Sequence, residues 1–216
     1  MTYGYGPRGD GDQPSTAQCQ AASSRYQASF NAPSSAGDQT WICPSTREYT
    51  VYAWGPGGFG GSVGGDYTGS SGALAIWQRV LFQAGDPVIV SIPARDASTG
   101  DTTVSTPRKS TVLTAGRGGA GTVSVGAVGV ASNGDVNING SAGKNSGTGN
   151  NGGGTDGGLG GSGSTAGAPG YDGLRGGDGA AGAYPGGTPG GGGATATTGD
   201  PQQKGGAGFV IICRDT

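Results

Sequence analysis

Short runs of apolar residues separated by turn-forming residues dominate the chain between residues 40 and 114. In the segment EYTVYAW (48–54) the side chains alternate with the period of two that is typical of a β-strand. The runs are rich in β-branched and aromatic residues, and no stretch has a convincing helical period. The pattern predicts five strands: TWIC (40–43), EYTVYAW (48–54), ALAIWQRVLF (73–82), PVIVSI (87–92) and STVLT (110–114).

The connections between these runs indicate antiparallel pairing. QAGDPV, between Phe82 and Ile89, predicts a hairpin turn. A last run of five strand-forming residues, Phe209 to Cys213, follows the glycine-rich part of the chain and is expected to pair beside the first strands. The predicted fold class is therefore all-β, with a small antiparallel β-sandwich and few or no α-helices.

The chain divides into three parts. Residues 1–38 are polar, have no sustained apolar period, and predict an arm that is disordered or becomes ordered only on a partner. Residues 39–138 together with 205–216 form the predicted sandwich, although glycine already increases after residue 116. Residues 139–204 form a glycine-rich insertion whose two ends are fixed to the same core.

The insertion has a period of three. Glycine stands at every third position from Gly167 to Gly182, from Gly154 to Gly163 and from Gly187 to Gly193, and the first of these runs is out of phase with the others. A collagen helix would keep one phase, because only glycine fits at its axis. We therefore expect a bundle of separate polyglycine II helices, joined by lateral backbone hydrogen bonds. A disordered Gly/Ser linker and a collagen trimer are the alternatives.

Charge and hydropathy exclude several classes of partner. The formal net charge is −2 and the twelve Lys and Arg residues are scattered, so we expect no nucleic-acid binding. No apolar run approaches a membrane span and the N-terminus lacks the features of a signal peptide, so we expect no membrane insertion and a soluble product of cytoplasmic synthesis.

The chemistry of common active sites is missing from the composition. The chain has no histidine, which excludes Ser-His-Asp and Cys-His sites. Its acidic residues are scattered, and GPGGFG (55–60), which fits a dinucleotide motif by its letters, is not followed by a helix. We therefore expect no enzymatic activity, no cofactor and no metal.

Three cysteines, Cys19, Cys43 and Cys213, stand at wide spacing. They fit neither a disulfide framework nor a zinc site. Free thiols are one interpretation. The other is that Cys43 and Cys213, each at the end of a predicted strand, are neighbours in one sheet and form a disulfide or a close thiol pair.

A series of segments carries a resemblance: YTVYAWGPGGFGG, GSSGALAIWQRVLFQAGDPVIVSI, TVLTAGRGGAG, GDVNINGSAG and GGAGFVIIC. In this order, with glycine-rich runs before the last segment, they resemble the glycine-rich domains of tail-tip and tail-fibre proteins of double-stranded DNA bacteriophages. The resemblance covers residues 40 to 213. It implies a small β-sandwich carrying a polyglycine II bundle, and a structural or host-recognition role in the tail of the virion.

The resemblance also implies partners. These are other phage tail proteins and a host cell-surface receptor, which is a protein or a glycan, and the chain is expected to be a homo-oligomer, with a trimer favoured. Tyr171, Arg175 and Tyr184 are the candidate receptor-binding residues, because they are large or cationic among small neighbours. An ice-binding protein is the alternative function, since polyglycine II bundles also build some antifreeze proteins.

Overall fold

The computed structural model describes residues 24–33, 35, 37–60, 69–94, 97–121, 126–143 and 205–215. Within these ranges the chain forms β-strands and no helix, so the predicted all-β class is confirmed. The strands are β1 (Ser24–Asn31), β2 (Asp38–Ile42), β3 (Arg47–Trp54), β4 (Leu74–Phe82), β5 (Pro87–Ser91), β6 (Thr102–Ser105), β7 (Leu113–Ala115), β8 (Ala131–Ser132), β9 (Val136–Ile138) and β10 (Phe209–Asp215).

The strands form two antiparallel sheets of five. Sheet 1 has the order β1-β10-β3-β4-β9, and sheet 2 has the order β2-β5-β6-β7-β8. The C-terminal strand β10 therefore lies inside sheet 1, where it pairs with β1 on one side and β3 on the other. The expectation that Phe209 to Cys213 pairs beside the first strands of the domain is confirmed.

The inner faces of the two sheets share one apolar core. Alternation along β3 turns Tyr49, Val51 and Ala53 inward, where they meet residues of sheet 2 such as Val88 and Val90. Trp41 and Phe82 pack around Tyr49. The ring centroid of Tyr49 lies 5.3 Å from that of Trp41 and 5.7 Å from that of Phe82. Burial of these rings, which aromatic packing stabilises further, holds the two sheets together.

The opposite face of sheet 1 is also buried. The side chains that alternate with the inner ones form a second cluster, which we call the outer-face cluster. Its seven members are at most 4% exposed. They are Tyr52, Trp54, Leu74, Ile76, Phe209, Ile211 and Cys213. Sheet 1 is thus buried on both faces, which explains why β10 reads as a continuous apolar run.

The segment QAGDPV forms a turn that connects β4 of sheet 1 to β5 of sheet 2. Gly85 adopts a φ of 91°, a conformation that glycine reaches without steric cost. The Asp86 carboxylate accepts a hydrogen bond of 2.7 Å from the Gln83 backbone N–H and forms an ion pair with Arg108. The Arg108 guanidinium and this backbone bond lower the pKa of Asp86. The prediction of a turn is confirmed, but the prediction that it closes a hairpin is wrong, because β4 and β5 lie in different sheets and do not pair with each other.

Two features differ from the sequence prediction. Residues 24–31, which the pattern assigned to the N-terminal arm, form β1, because the unpaired edge of β10 supplies hydrogen bonds to a polar strand. The thiols of Cys43 and Cys213 are not paired. Cys43 is a free, buried cysteine of the inner core, whereas Cys213 is disulfide-bonded and belongs to the outer-face cluster.

Candidate functional site

Six glycine-rich segments leave the two sheets at one end. Three follow β3, β7 and β9, and three precede β4, β8 and β10. The pairs Trp54↔Leu74, Phe209↔Trp54 and Ala115↔Ala131 place the ends of these antiparallel strands side by side. We call these segments together the glycine lattice; they are 55–60, 69–73, 116–121, 126–130, 139–143 and 205–208.

The lattice is held by its backbone. Twelve backbone hydrogen bonds of 2.6 to 3.1 Å join one segment to another. Segment 69–73 lies at the centre: Gly58 N–H donates to the carbonyl of Ser70, Ser70 N–H donates to Gly119, Ser71 N–H donates to Ser141, and Gly129 N–H donates to Ser71. This segment thus bonds to four neighbours, whereas a β-strand bonds to two at most.

Glycine spacing makes this close approach possible. In five of the segments, glycines three residues apart leave no room for a Cβ, because a neighbouring backbone or, at Gly208, the Thr102 side chain lies too close. They are Gly55 and Gly58, Gly69 and Gly72, Gly116 and Gly119, Gly126 and Gly129, and Gly205 and Gly208. A Cβ at Gly116 would lie 2.6 Å from the carbonyl oxygen of Val130, and most of the others would meet backbone atoms as closely. Any larger residue therefore forces two segments apart.

Two buried serines add side-chain hydrogen bonds to the centre of the lattice. Ser70 and Ser71 are fully buried. The Ser70 hydroxyl donates to the carbonyl of Gly126 (2.6 Å) and accepts from the N–H of Gly143 (3.1 Å). The Ser71 hydroxyl accepts from the N–H of Ser141 (2.7 Å). These hydroxyls satisfy backbone groups that the lattice leaves unpaired.

Arg117 ties the lattice to a neighbouring loop. Its Nη1 donates to the carbonyl of Gly57 (3.0 Å), and its Nη2 donates to the carbonyl of Ala97 (2.5 Å). Its guanidinium lies 5.7 Å from the ring centroid of Phe59. Burial lowers the pKa of Arg117, and the nearby Asp101 opposes this shift. The side chain remains charged at neutral pH, because an arginine guanidinium is not deprotonated in proteins.

Replacing Arg117 by methionine is expected to lower the free energy of unfolding by about 2–4 kcal/mol, because two charge-assisted hydrogen bonds to backbone carbonyls are lost. Chemical denaturation of the purified variant measures the loss. Arg79→Met is the matched control, since Arg79 is exposed and forms an exposed ion pair with Glu48. Equal losses in the two variants would contradict the anchoring role of Arg117.

The predicted receptor-binding residues Tyr171, Arg175 and Tyr184 lie outside the described residues. The sequence prediction assigned most of the lattice to turns and strands of the sandwich, although the pairs of glycines three residues apart are visible in the sequence.

In the described part of the chain no group of three or more His, Cys, Asp or Glu side chains could hold a metal ion. Nor do these residues include a helix long and apolar enough to cross a membrane.

The chain was compared with known proteins. No family model matches its sequence, and no curated protein matches it significantly.

Proposed function

We propose that this protein is a structural virion protein of a bacteriophage tail, placed at the distal tail or in a fibre, where it contributes to recognition of the host surface. Its two sheets form a β-sandwich that carries a polyglycine II bundle. The observation that carries the proposal is the bonding of one central glycine segment to four neighbours at one end of the sheets.

Polyglycine II geometry accounts for the lattice. Three residues per turn bring every third residue to the same side, which matches glycines that face a neighbour at positions i and i+3. The helix makes no internal hydrogen bonds, so its N–H and C=O groups point outward in several directions and bond to several neighbours. Between Gly154 and Gly193 the sequence contains further runs in which glycine stands at every third position, which is the same pattern.

A tail protein has a use for such a part. A bundle held by backbone bonds is thin and rigid, because almost no side chains separate its helices. Its connecting loops are free to vary and carry contacts to a receptor. Tyr171, Arg175 and Tyr184 are the proposed contacts, and the partners are other tail proteins and a protein or glycan of the host surface. A homo-oligomer, with a trimer favoured, would present several copies of these loops.

Immunogold electron microscopy of purified tailed particles that encode the chain tests the proposed position. Antibodies against the two-sheet part are expected to label the distal end of the tail or its fibres, and peptides of the chain are expected in the purified particles. Particles that lack the protein would contradict a virion role. A purified protein that produces thermal hysteresis would support the ice-binding alternative instead.

Particles that carry Arg175→Ser are expected to adsorb to host cells about tenfold more slowly, since loss of a central cationic contact commonly costs 1–2 kcal/mol of binding. Arg47→Ser is the matched control. Arg47 is exposed at the start of β3, whereas the lattice segment 55–60 follows the other end of this strand. Adsorption that is unchanged by Arg175→Ser, in particles that assemble normally, would exclude Arg175 from the contact.

A further inference from the structure

The outer-face cluster is buried without a described element that covers it. Strand alternation turns its side chains away from sheet 2. Within the described part of the chain, the partly buried apolar residues packed against it are Val136 and Ile138, which stand on the edge strand of the same sheet. Trp54, Phe209 and Ile211 are nevertheless at most 1% exposed. Burial of this outward face therefore requires a covering segment, which the described strands do not supply.

The cysteines indicate which segment it is. Cys213 is part of the outer-face cluster and is disulfide-bonded. The chain has three cysteines, and Cys43 is free. Cys19 is the remaining partner within the chain.

The register of β1 and β10 makes this pairing geometrically feasible. Ser24 pairs with Asp215, so β1 begins two residues from Cys213 along the adjacent strand. Cys19 stands five residues before Ser24 in the sequence, and five residues reach up to about 17 Å. Five strands at about 4.8 Å spacing make a sheet about 19 Å wide, and the 18 residues before Cys19 can extend to about 60 Å. The segment is therefore long enough to cross the face.

We propose that residues 1–23 lie across the outer face of sheet 1 and are fixed there by a disulfide between Cys19 and Cys213. Tyr3 and Tyr5 are the two aromatic residues in this segment, whose other residues are mostly small or polar. The disulfide forms by exchange with a low-molecular-weight disulfide. The two cysteine thiols lose two protons and two electrons, and the small disulfide is reduced to two thiols.

Non-reducing peptide mapping tests the pairing directly, because trypsin places the three cysteines in three fragments. Cleavage after arginine and lysine gives fragment 9–25 with Cys19, fragment 26–47 with Cys43 and fragment 205–214 with Cys213. The purified chain, with its free thiols blocked before denaturation, is expected to give fragment 9–25 linked to fragment 205–214 and a blocked thiol in fragment 26–47. A link between two copies of 205–214, a link of 26–47 to 205–214, or blocked thiols in all three fragments would overturn the proposal.

Removal of residues 1–18 tests the covering, because this variant keeps the disulfide. Binding of a hydrophobic dye is expected to rise about threefold or more over the full chain, as the outer-face cluster becomes exposed. Unchanged dye binding in a variant that still yields the linked fragment would overturn it.

A second measurement uses the full chain and does not depend on folding of the variant. Trypsin is expected to cleave after Arg8 faster once the disulfide is reduced. Equal rates of cleavage before and after reduction would overturn the covering.

Discussion

Replacing Gly58 by alanine is expected to lower the free energy of unfolding by about 3–5 kcal/mol, a large share of the 5–15 kcal/mol that stabilises a typical domain. A Cβ at Gly58 would overlap the carbonyl group of Gly119 and lie 2.6 Å from the carbonyl oxygen of Gly118. Segment 55–60 must then move away from segment 116–121. The movement weakens lateral hydrogen bonds that each contribute about 0.5–1.5 kcal/mol and adds the strain of overpacking.

Gly37→Ala is the matched control for this substitution. A Cβ at Gly37 would have no atom within 4 Å, and Gly37 is not among the residues with positive φ. Alanine at such a position restricts the unfolded chain and is expected to leave stability unchanged or raise it by up to about 1 kcal/mol. Urea denaturation of both variants measures the difference. Equal stability of the two variants would mean that the lattice does not depend on close backbone contact.

Removing residues 209–216 is expected to abolish cooperative folding of the whole domain. The deletion takes a strand from inside sheet 1, so among the described strands β1 loses the one it pairs with and β3 loses one of two. Phe209, Val210, Ile211 and Ile212 are fully buried or nearly so, and each such side chain contributes about 1.5–3 kcal/mol by its burial. The summed loss of about 6–12 kcal/mol is comparable to the entire stability of a domain.

A graded variant separates this effect from a general sensitivity of the C-terminus. Ile212→Ala keeps the strand and is expected to cost about 2–5 kcal/mol, with a cooperative melt at a lower temperature. Arg214→Ala changes a partly exposed residue of the same strand and is expected to have a much smaller effect. Circular dichroism during thermal unfolding measures all three. A truncated chain that melts cooperatively near the temperature of the parent would contradict the central role of β10.

Side-chain pattern alone predicted the strands that bury both their faces or alternate clearly. EYTVYAW and FVIIC correspond to β3 and β10, and QAGDPV corresponds to the turn before β5. Strand β1 was missed because SRYQASFN is polar and owes its conformation to pairing with β10. Strand β6 was missed because TTVS is short and has one large apolar residue, Val104, which is buried. Such strands depend on contacts that are distant in sequence.

The glycine lattice could be predicted in part. The pairs Gly55 and Gly58, or Gly69 and Gly72, show the same period of three that indicated polyglycine II geometry farther along the chain. Each pair alone is too short to distinguish from a turn. Their meaning depends on six segments arriving at one end of the two sheets, which strand order determines and local sequence does not encode. The role of Arg117 likewise depends on the meeting of residues 57 and 97.

The central proposal is that the glycine-rich insertion, of which residues 144–204 lie outside the described residues, is a bundle of polyglycine II helices joined by lateral backbone hydrogen bonds. Hydrogen–deuterium exchange of residues 144–204, read by mass spectrometry, tests it most directly, because amides that donate to a neighbouring backbone are protected and amides of a flexible linker are not. Residues 55–60 provide the internal standard, because the amides of Gly55, Gly57 and Gly58 donate to neighbouring segments. The account predicts that amides of residues 144–204 exchange about a hundredfold or more slowly than those of an unfolded chain, as in the standard. Exchange of residues 144–204 at the unfolded rate, beside a protected standard, would contradict it.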